Sequence, residues 1–342
     1  MIRDFNDRDF EFYPEFEYYC YKNCFLQILE YYGVQNAKYY LDCTTDWTCQ
    51  TGKNEGIVFG TGDPFSSFIP PFDDHVKIYT TDDRTKEQIW KDNIESINNG
   101  TPVVIAVDIF YLKYTPYYQK KHSYHSAVLT GYDEFTDEFY VVDWYPPWYF
   151  KGKISRDELE NSRGSENDGD GILSGDPIKY LFAEIDRVDY SESMRDLIQA
   201  QIQRNMDLYY KGVESDGTVK GYKAINSMID KIEESFTYTK EKQKGFFENL
   251  YSQLFFTPYR KKLFHWYLNN AYVELNNFGF EKPIRILDET INTWKVFLSL
   301  IIKCSMVSSE KNLELLVKRC TEIIEKEKQL GYELYELNRN FK

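Results

Sequence analysis

Basic charge, histidine, cysteine and long apolar runs are all scarce in this chain of 342 residues. Its 41 Lys and Arg are outnumbered by 55 Asp and Glu, giving a net charge of -14. A surface of that sign repels phosphate backbones and anionic bilayers, which argues against nucleic acid and membranes as partners. The longest apolar stretch, Val296 to Ile302, falls far below the roughly 18 to 20 residues that cross a bilayer. The opening residues are acidic and interrupted, unlike a signal peptide. Six cysteines over this length fit reduced thiols better than a disulfide framework, so the cytoplasm is the expected compartment. Cys43 and Cys49 lack zinc-type spacing, and a calcium loop counted from Glu166 would need a Glu where Pro177 stands. No metal site is expected.

Aromatic rings are what the chain has in abundance: 30 Tyr, 24 Phe and 6 Trp, 18% of all residues. Such rings serve cores and flat ligands alike. The length predicts two domains. Residues 1–190 mix helix and strand. Phe25, Leu26, Ile28, Leu29 and Tyr32 have helical spacing that stops at Gly33, and Lys86 to Asn98 reads as a second helix closed by Gly100. A buried strand follows from Pro102, and His125–Tyr132 with Phe139–Asp143 reads as a hairpin. Ser162 to Pro177 reads as a mobile surface loop. Residues 191–342 show helical periodicity alone, at Ala224, Ile225, Met228, Ile229 and Ile232 and again at Leu313, Leu316, Cys320 and Ile324. The expected fold class is α+β, an antiparallel-sheet domain followed by an all-helical one of about five helices.

Four histidines leave few routes to histidine chemistry. A hairpin centred on Glu134 would set His125 opposite Asp143, with Cβ atoms roughly 4.5 to 5.5 Å apart, close enough for an imidazole–carboxylate hydrogen bond. Cys20 opens the helix that ends at Gly33, where free backbone N–H groups and the macrodipole favour a thiolate. Cys24, one turn on, is its rival, and either cysteine could equally be a small buried hydrophobe.

The spacing of these residues resembles a known group. The stretch from Cys20 to Gly33 is similar to the opening helix of papain-like cysteine enzymes of the bacteriocin-leader peptidase type, an interval that favours Cys20. His125-Ser-Ala-Val-Leu-Thr-Gly-Tyr-Asp133 resembles their histidine strand, and Val141-Val-Asp143 their acidic member. A closer resemblance is to the family named for the N-terminal domain of butirosin biosynthesis protein H. Glu55-Gly-Ile-Val-Phe-Gly-Thr-Gly62 and Val103 to Tyr114, with its Tyr-Leu-x-Tyr ending, are similar to that family's segments and stand in the family's order. The resemblance implies a papain-like catalytic domain whose Cys20, His125 and Asp143 form a triad. It implies an acyltransferase of natural-product assembly that takes an acyl group from the phosphopantetheine thioester of a carrier protein and passes it to an amine, with no bound cofactor. Glu55, Gly60, Gly62, Tyr111, Tyr114 and Trp144 are the candidate substrate contacts, although Gly60 and Gly62 equally suit a tight turn and the aromatics plain packing.

Papain-like peptidases place a Gln several residues before the nucleophile, and residues 12–19 contain none. That weakens the alternative, a cysteine peptidase that processes a precursor peptide. A binding module without chemistry is the third reading. An acidic carrier protein would need a basic dock, for which Lys120-Lys121 and Arg260-Lys261-Lys262 are the nearest clusters, and the aromatic segment Phe246 to Tyr272 could face the acceptor.

Overall fold

The structure, a computed structural model, describes residues 16, 19–45, 48–51, 57–60, 68–69, 72–145, 148–166, 177–211, 214–215, 218–307 and 309–340. In chain order its elements begin with α1 (Cys20–Tyr31), β1 (Thr48–Thr51), β2 (Ile57–Gly60), β3 (Val76–Tyr79), α2 (Lys86–Asn98) and β4 (Val103–Asp108). Then come β5 (Tyr124–Asp133), β6 (Glu138–Asp143), β7 (Phe150–Ser155), α3 (Arg156–Arg163), β8 (Phe182–Ile185) and α4 (Met194–Lys211). The remainder is β9 (Glu214–Ser215), β10 (Thr218–Lys220), α5 (Tyr222–Glu234), α6 (Lys240–Leu254), α7 (Thr257–Leu275), α8 (Glu281–Met306) and α9 (Glu310–Arg339).

The contacts gather into two compact units, residues 1–41 with 67–192 and residues 42–66 with 193–342. The sequence suggests one cut after residue 190; the structure carries residues 42–66 across to the second unit. The reason is pairing: β1 hydrogen-bonds to β2 on one side and to β10 on the other, Thr48 opposite Lys220.

The first unit is built on a six-stranded antiparallel sheet in the order β3-β8-β4-β5-β6-β7. All six residues of β4 are buried, as its run of Val and Ile predicts for a central strand. α1 ends as expected, with Gly33 at φ +79, a left-handed position that costs glycine no Cβ clash. α2 opens on a capping box, in which Thr85 and Gln88 each accept the other's backbone N–H. α3 extends through Arg163 with Ser162 and Arg163 fully buried, so the segment expected to be a loop from Ser162 begins as helix and core. Most of that segment, 167–176, lies outside the described residues.

The hairpin forms, but in a different register from the one expected. Asp133 pairs with Glu138, and the irregularity between Leu129 and Gly131 then brings Val128 opposite Val142. Continuing that register sets Asp143 beside Ala127, two positions from His125 and on the same face of the sheet.

The second unit holds six helices among the described residues, together with a feature the expected all-helical domain lacks: a four-stranded sheet in the order β2-β1-β10-β9. Its core gathers Met228 and Ile232 from α5, Phe247 and Leu250 from α6, Trp294, Phe297 and Ile301 from α8, and Leu316, Cys320 and Ile323 from α9. The four positions read from the last helix, Leu313, Leu316, Cys320 and Ile324, are all buried. Residues 42–45 are fastened to α4 by polar side chains. Gln201 accepts the Cys43 N–H at 3.0 Å, Asn205 accepts the Thr45 N–H at 3.0 Å, and both side chains are fully buried.

This predicts that residues 193–342 expressed alone fold poorly, because Gln201 and Asn205 lose their partners at about 1–3 kcal/mol each and β10 loses β1. Adding a peptide of residues 42–66 should raise the fragment's melting temperature by circular dichroism. A cooperative transition indifferent to the peptide would count against this account.

Candidate functional site

The site starts at the first residue of α1. Cys20 follows Tyr19, whose extended φ of -135° breaks the chain direction, and no side chain caps this helix end. Lys22 and Asn23 direct their N–H groups to the Tyr19 carbonyl, so the Cys20 amide stands ahead of the intrahelical pattern. Nothing acidic lies in the first turn to oppose a thiolate there. Cys20 keeps partial exposure, whereas Cys24 is buried.

His125 on β5 and Asp143 at the end of β6 supply the other two groups. His125 Nε2 lies 3.0 Å from Asp143 Oδ1 and 2.9 Å from Oδ2, and both side chains are buried. The contact is diagonal across the strand pair rather than directly opposed, a reach that an imidazole manages. Nε2 is held by the carboxylate, and the His125 side chain is also hydrogen-bonded to Cys20.

Burial opposes both charges of this pair and is outweighed in both. Burial would raise the Cys20 thiol, but the His125 charge, with hydrogen bonds from His125 and Ser126, brings it below its ordinary value. Burial would lower His125, but the charges of Asp143 and Cys20 and hydrogen bonds to both push it up to about 10. Both shifts run in the direction that favours a thiolate beside an imidazolium. Cys24 behaves oppositely: burial and the charges of Cys20 and Asp143 push its thiol well above the ordinary value. The two thiols of α1 are thus shifted in opposite directions.

Aromatic side chains enclose the pair. Tyr145 and Trp148 meet the His125 ring edge-on, with centroids 4.9 and 5.3 Å away. Trp148 also donates its Nε1–H to Asp143 Oδ2 at 2.7 Å, and Tyr114 donates its hydroxyl to the same oxygen at 2.9 Å. Tyr114, a candidate substrate contact from the sequence, is thus bonded to the carboxylate. Trp144, next to Asp143, has its carbonyl held by the Asn23 side chain of α1 at 2.6 Å. The Asn23 side chain thereby spends an N–H on that carbonyl.

Tyr111 lies elsewhere, against Phe110 and His122. There Asp108 bonds to His122 Nδ1 and to Ser165 Oγ, each at 2.7 Å, and accepts the N–H groups of Phe110 and Ser123. This second histidine–aspartate couple fastens the 3-10 turn Ile109–Tyr111 to the start of β5.

Other sequence candidates fall outside this cluster. Gly60 is the last residue of β2 and pairs with Thr48 in the second unit, in a strand rather than a turn or loop. Glu55 and Gly62 lie outside the described residues. Of the expected docking clusters, Arg260-Lys261-Lys262 is not a surface patch, since Lys261 is 1% exposed and paired with Glu327. The segment Phe246 to Tyr272 buries Phe247, Leu250, Phe264, Tyr267 and Leu268 in the helical unit. Sequence reading missed Trp148 and Tyr145; the run Trp144-Tyr-Pro-Pro-Trp-Tyr-Phe150 directly after the acid was the available signal.

A thiol at a helix start, facing histidine and aspartate on neighbouring antiparallel strands of an α+β unit, is the layout the papain-like resemblance implies. Residues 47–144 match the family described as butirosin biosynthesis protein H, N-terminal, the family to which the motifs point. The matched segment contains His125, Asp143, Tyr114 and Gly60, and stops short of Cys20 and of α4 onward. No curated protein matches the chain.

Proposed function

We propose that this protein is an amide-forming acyltransferase of natural-product assembly, drawing its acyl group from a carrier-protein phosphopantetheine thioester through an acyl-Cys20 intermediate. The observation that carries this reading is the buried His125–Asp143 pair bonded to a thiol lowered at a helix start. The Cys20 thiolate attacks the thioester carbonyl, and the backbone N–H of Cys20 supports the oxyanion. The carbon–sulfur bond to pantetheine breaks, and the departing thiolate takes the proton of the His125 imidazolium. An amine then attacks the acyl-Cys20 carbonyl, His125 accepts a proton from the amine nitrogen, and the Cys20 thiolate leaves. The amide is released with the thiolate–imidazolium pair restored. Asp143 holds the imidazole in one orientation and stabilises its charge throughout.

The activation available suits a thioester better than a peptide bond, since residues 12–19 carry no Gln to support the oxyanion. The test is incubation with an acylated carrier protein plus amines, and separately with peptides, followed by intact-mass analysis. An acyl adduct on Cys20, free carrier thiol and an amide product support the proposal. Peptide fragments with no acyl adduct would replace it with the peptidase reading.

A further inference from the structure

We infer that Tyr114 and Trp148 are positioning residues that hold the Asp143 carboxylate against His125. The inference deepens the reading of Cys20, His125 and Asp143 as a triad and rests on it. Three donors converge on one oxygen: the Tyr114 hydroxyl at 2.9 Å, the Trp148 Nε1–H at 2.7 Å and His125 Nε2 at 2.9 Å all meet Asp143 Oδ2. The other oxygen faces His125 Nε2 at 3.0 Å. Each donor replaces a hydrogen bond that water would give a buried carboxylate and fixes the plane of the group.

The chain path shows how Tyr114 is delivered. β4 ends at Asp108, whose carboxylate caps the 3-10 turn Ile109–Tyr111, and buried Leu112 anchors the segment. Thr115 closes it by donating to the carbonyls of Ile109 and Leu112. The Tyr114 ring then stacks flat on Phe150, with centroids 4.0 Å apart and planes 8° apart, and Phe150 is itself the strand partner of Asp143. This accounts physically for the Tyr-Leu-x-Tyr ending of the motif: Leu anchors, and the second Tyr reaches the acid. Trp148 meets the His125 ring edge-on while donating to the carboxylate. Burial, the Asp143 charge and the hydrogen bond to Asp143 push the Tyr114 phenol well above its ordinary value, so it remains a donor over the working pH range.

The titratable groups around Asp143 are Cys20 and Cys24 from α1, His125 from β5 and Tyr114 itself, with Glu158 of α3 acting on Tyr114. A donor aimed at this cluster favours its more negative state. Removing one donor therefore moves proton uptake by the cluster to higher pH, whichever member takes the proton.

The experiment measures the rate of Cys20 alkylation by iodoacetamide against pH in the full chain, for wild type, Tyr114→Phe, Trp148→Phe and Tyr132→Phe. Tyr132 donates to Asp137, away from the pair, and serves as the control. The acid limb should move up by about one pH unit in Tyr114→Phe and in Trp148→Phe and stay in place in Tyr132→Phe. With an accepted acyl donor, kcat should fall about tenfold with KM within twofold of wild type. Tyr114→Phe keeps every ring contact, so a limb unmoved in that variant, with melting unchanged, overturns the inference for Tyr114; the same result in Trp148→Phe overturns it for Trp148. Alkylation needs no acyl substrate. A shifted limb without acyl transfer in wild type would leave this inference standing and reject the proposed function alone.

Discussion

Cys20→Ala is expected to abolish both acyl transfer and the covalent adduct, while Cys24→Ala leaves both in place. The two thiols are one helical turn apart, yet their surroundings pull them in opposite directions. Loss of a nucleophile from a coupled triad typically costs roughly 10⁴-fold or more in kcat. Cys24→Ala only trims a buried sulfur and should change kcat less than about threefold. The wild-type rate should pass through a maximum between two limbs. On the acid side it falls where Cys20 takes up a proton, below the ordinary thiol value; on the basic side it falls near 10, where His125 loses the proton needed by the departing thiol. Stopped-flow rates and intact mass across pH check this. Equal losses in the two alanine variants would refute the assignment of Cys20.

Glu327→Ala should destabilise the protein by about 3–5 kcal/mol, the largest stability effect expected of a single substitution in the helical unit. Three helices meet at this carboxylate. Lys261 of α7 lies 2.6 Å from its Oε1, Trp294 of α8 donates to the same oxygen at 2.9 Å, and all three residues are almost wholly buried. Burial already outweighs the pull of Glu327 and lowers the Lys261 ammonium below its usual value. Removing the carboxylate leaves that ammonium in the core without its counter-ion. The paired replacement Lys261→Met with Glu327→Leu should be near neutral or stabilising, since apolar groups of similar volume remove both desolvation costs. Urea unfolding of the single and double variants measures this. A cost for Glu327→Ala under about 1 kcal/mol would show that the pair adds little.

Local pattern sufficed where local forces decide. Gly33 and Gly100 closed α1 and α2 as read, and the Val and Ile run of β4 proved central. The His125–Asp143 contact was legible because one hairpin brings the two strands together. The hairpin register was not, because the turn is centred between Phe135 and Thr136 rather than on Glu134, and the irregularity near Gly131 recovers only part of that offset. Distance along the chain hid the rest. β1 and β2 are four residues each, too short for periodicity, and the partner of β1 lies at Thr218–Lys220. Lys261 read as part of a charged surface because its carboxylate is on α9, far along the chain. Tyr114 read as one aromatic among many, because ring counts carry no information about where a hydroxyl points.

The course of residues 42–66 has a consequence for synthesis. On the ribosome β1 is made long before β10, so its hydrogen-bonding edge toward that strand waits while most of the first unit and all of α4 are translated. Exposed strand edges are templates for the wrong neighbour, and pairings this far apart in sequence close slowly. The last strands to emerge therefore govern when the nascent chain is safe from self-association, and premature termination before residue 218 yields a product prone to aggregate.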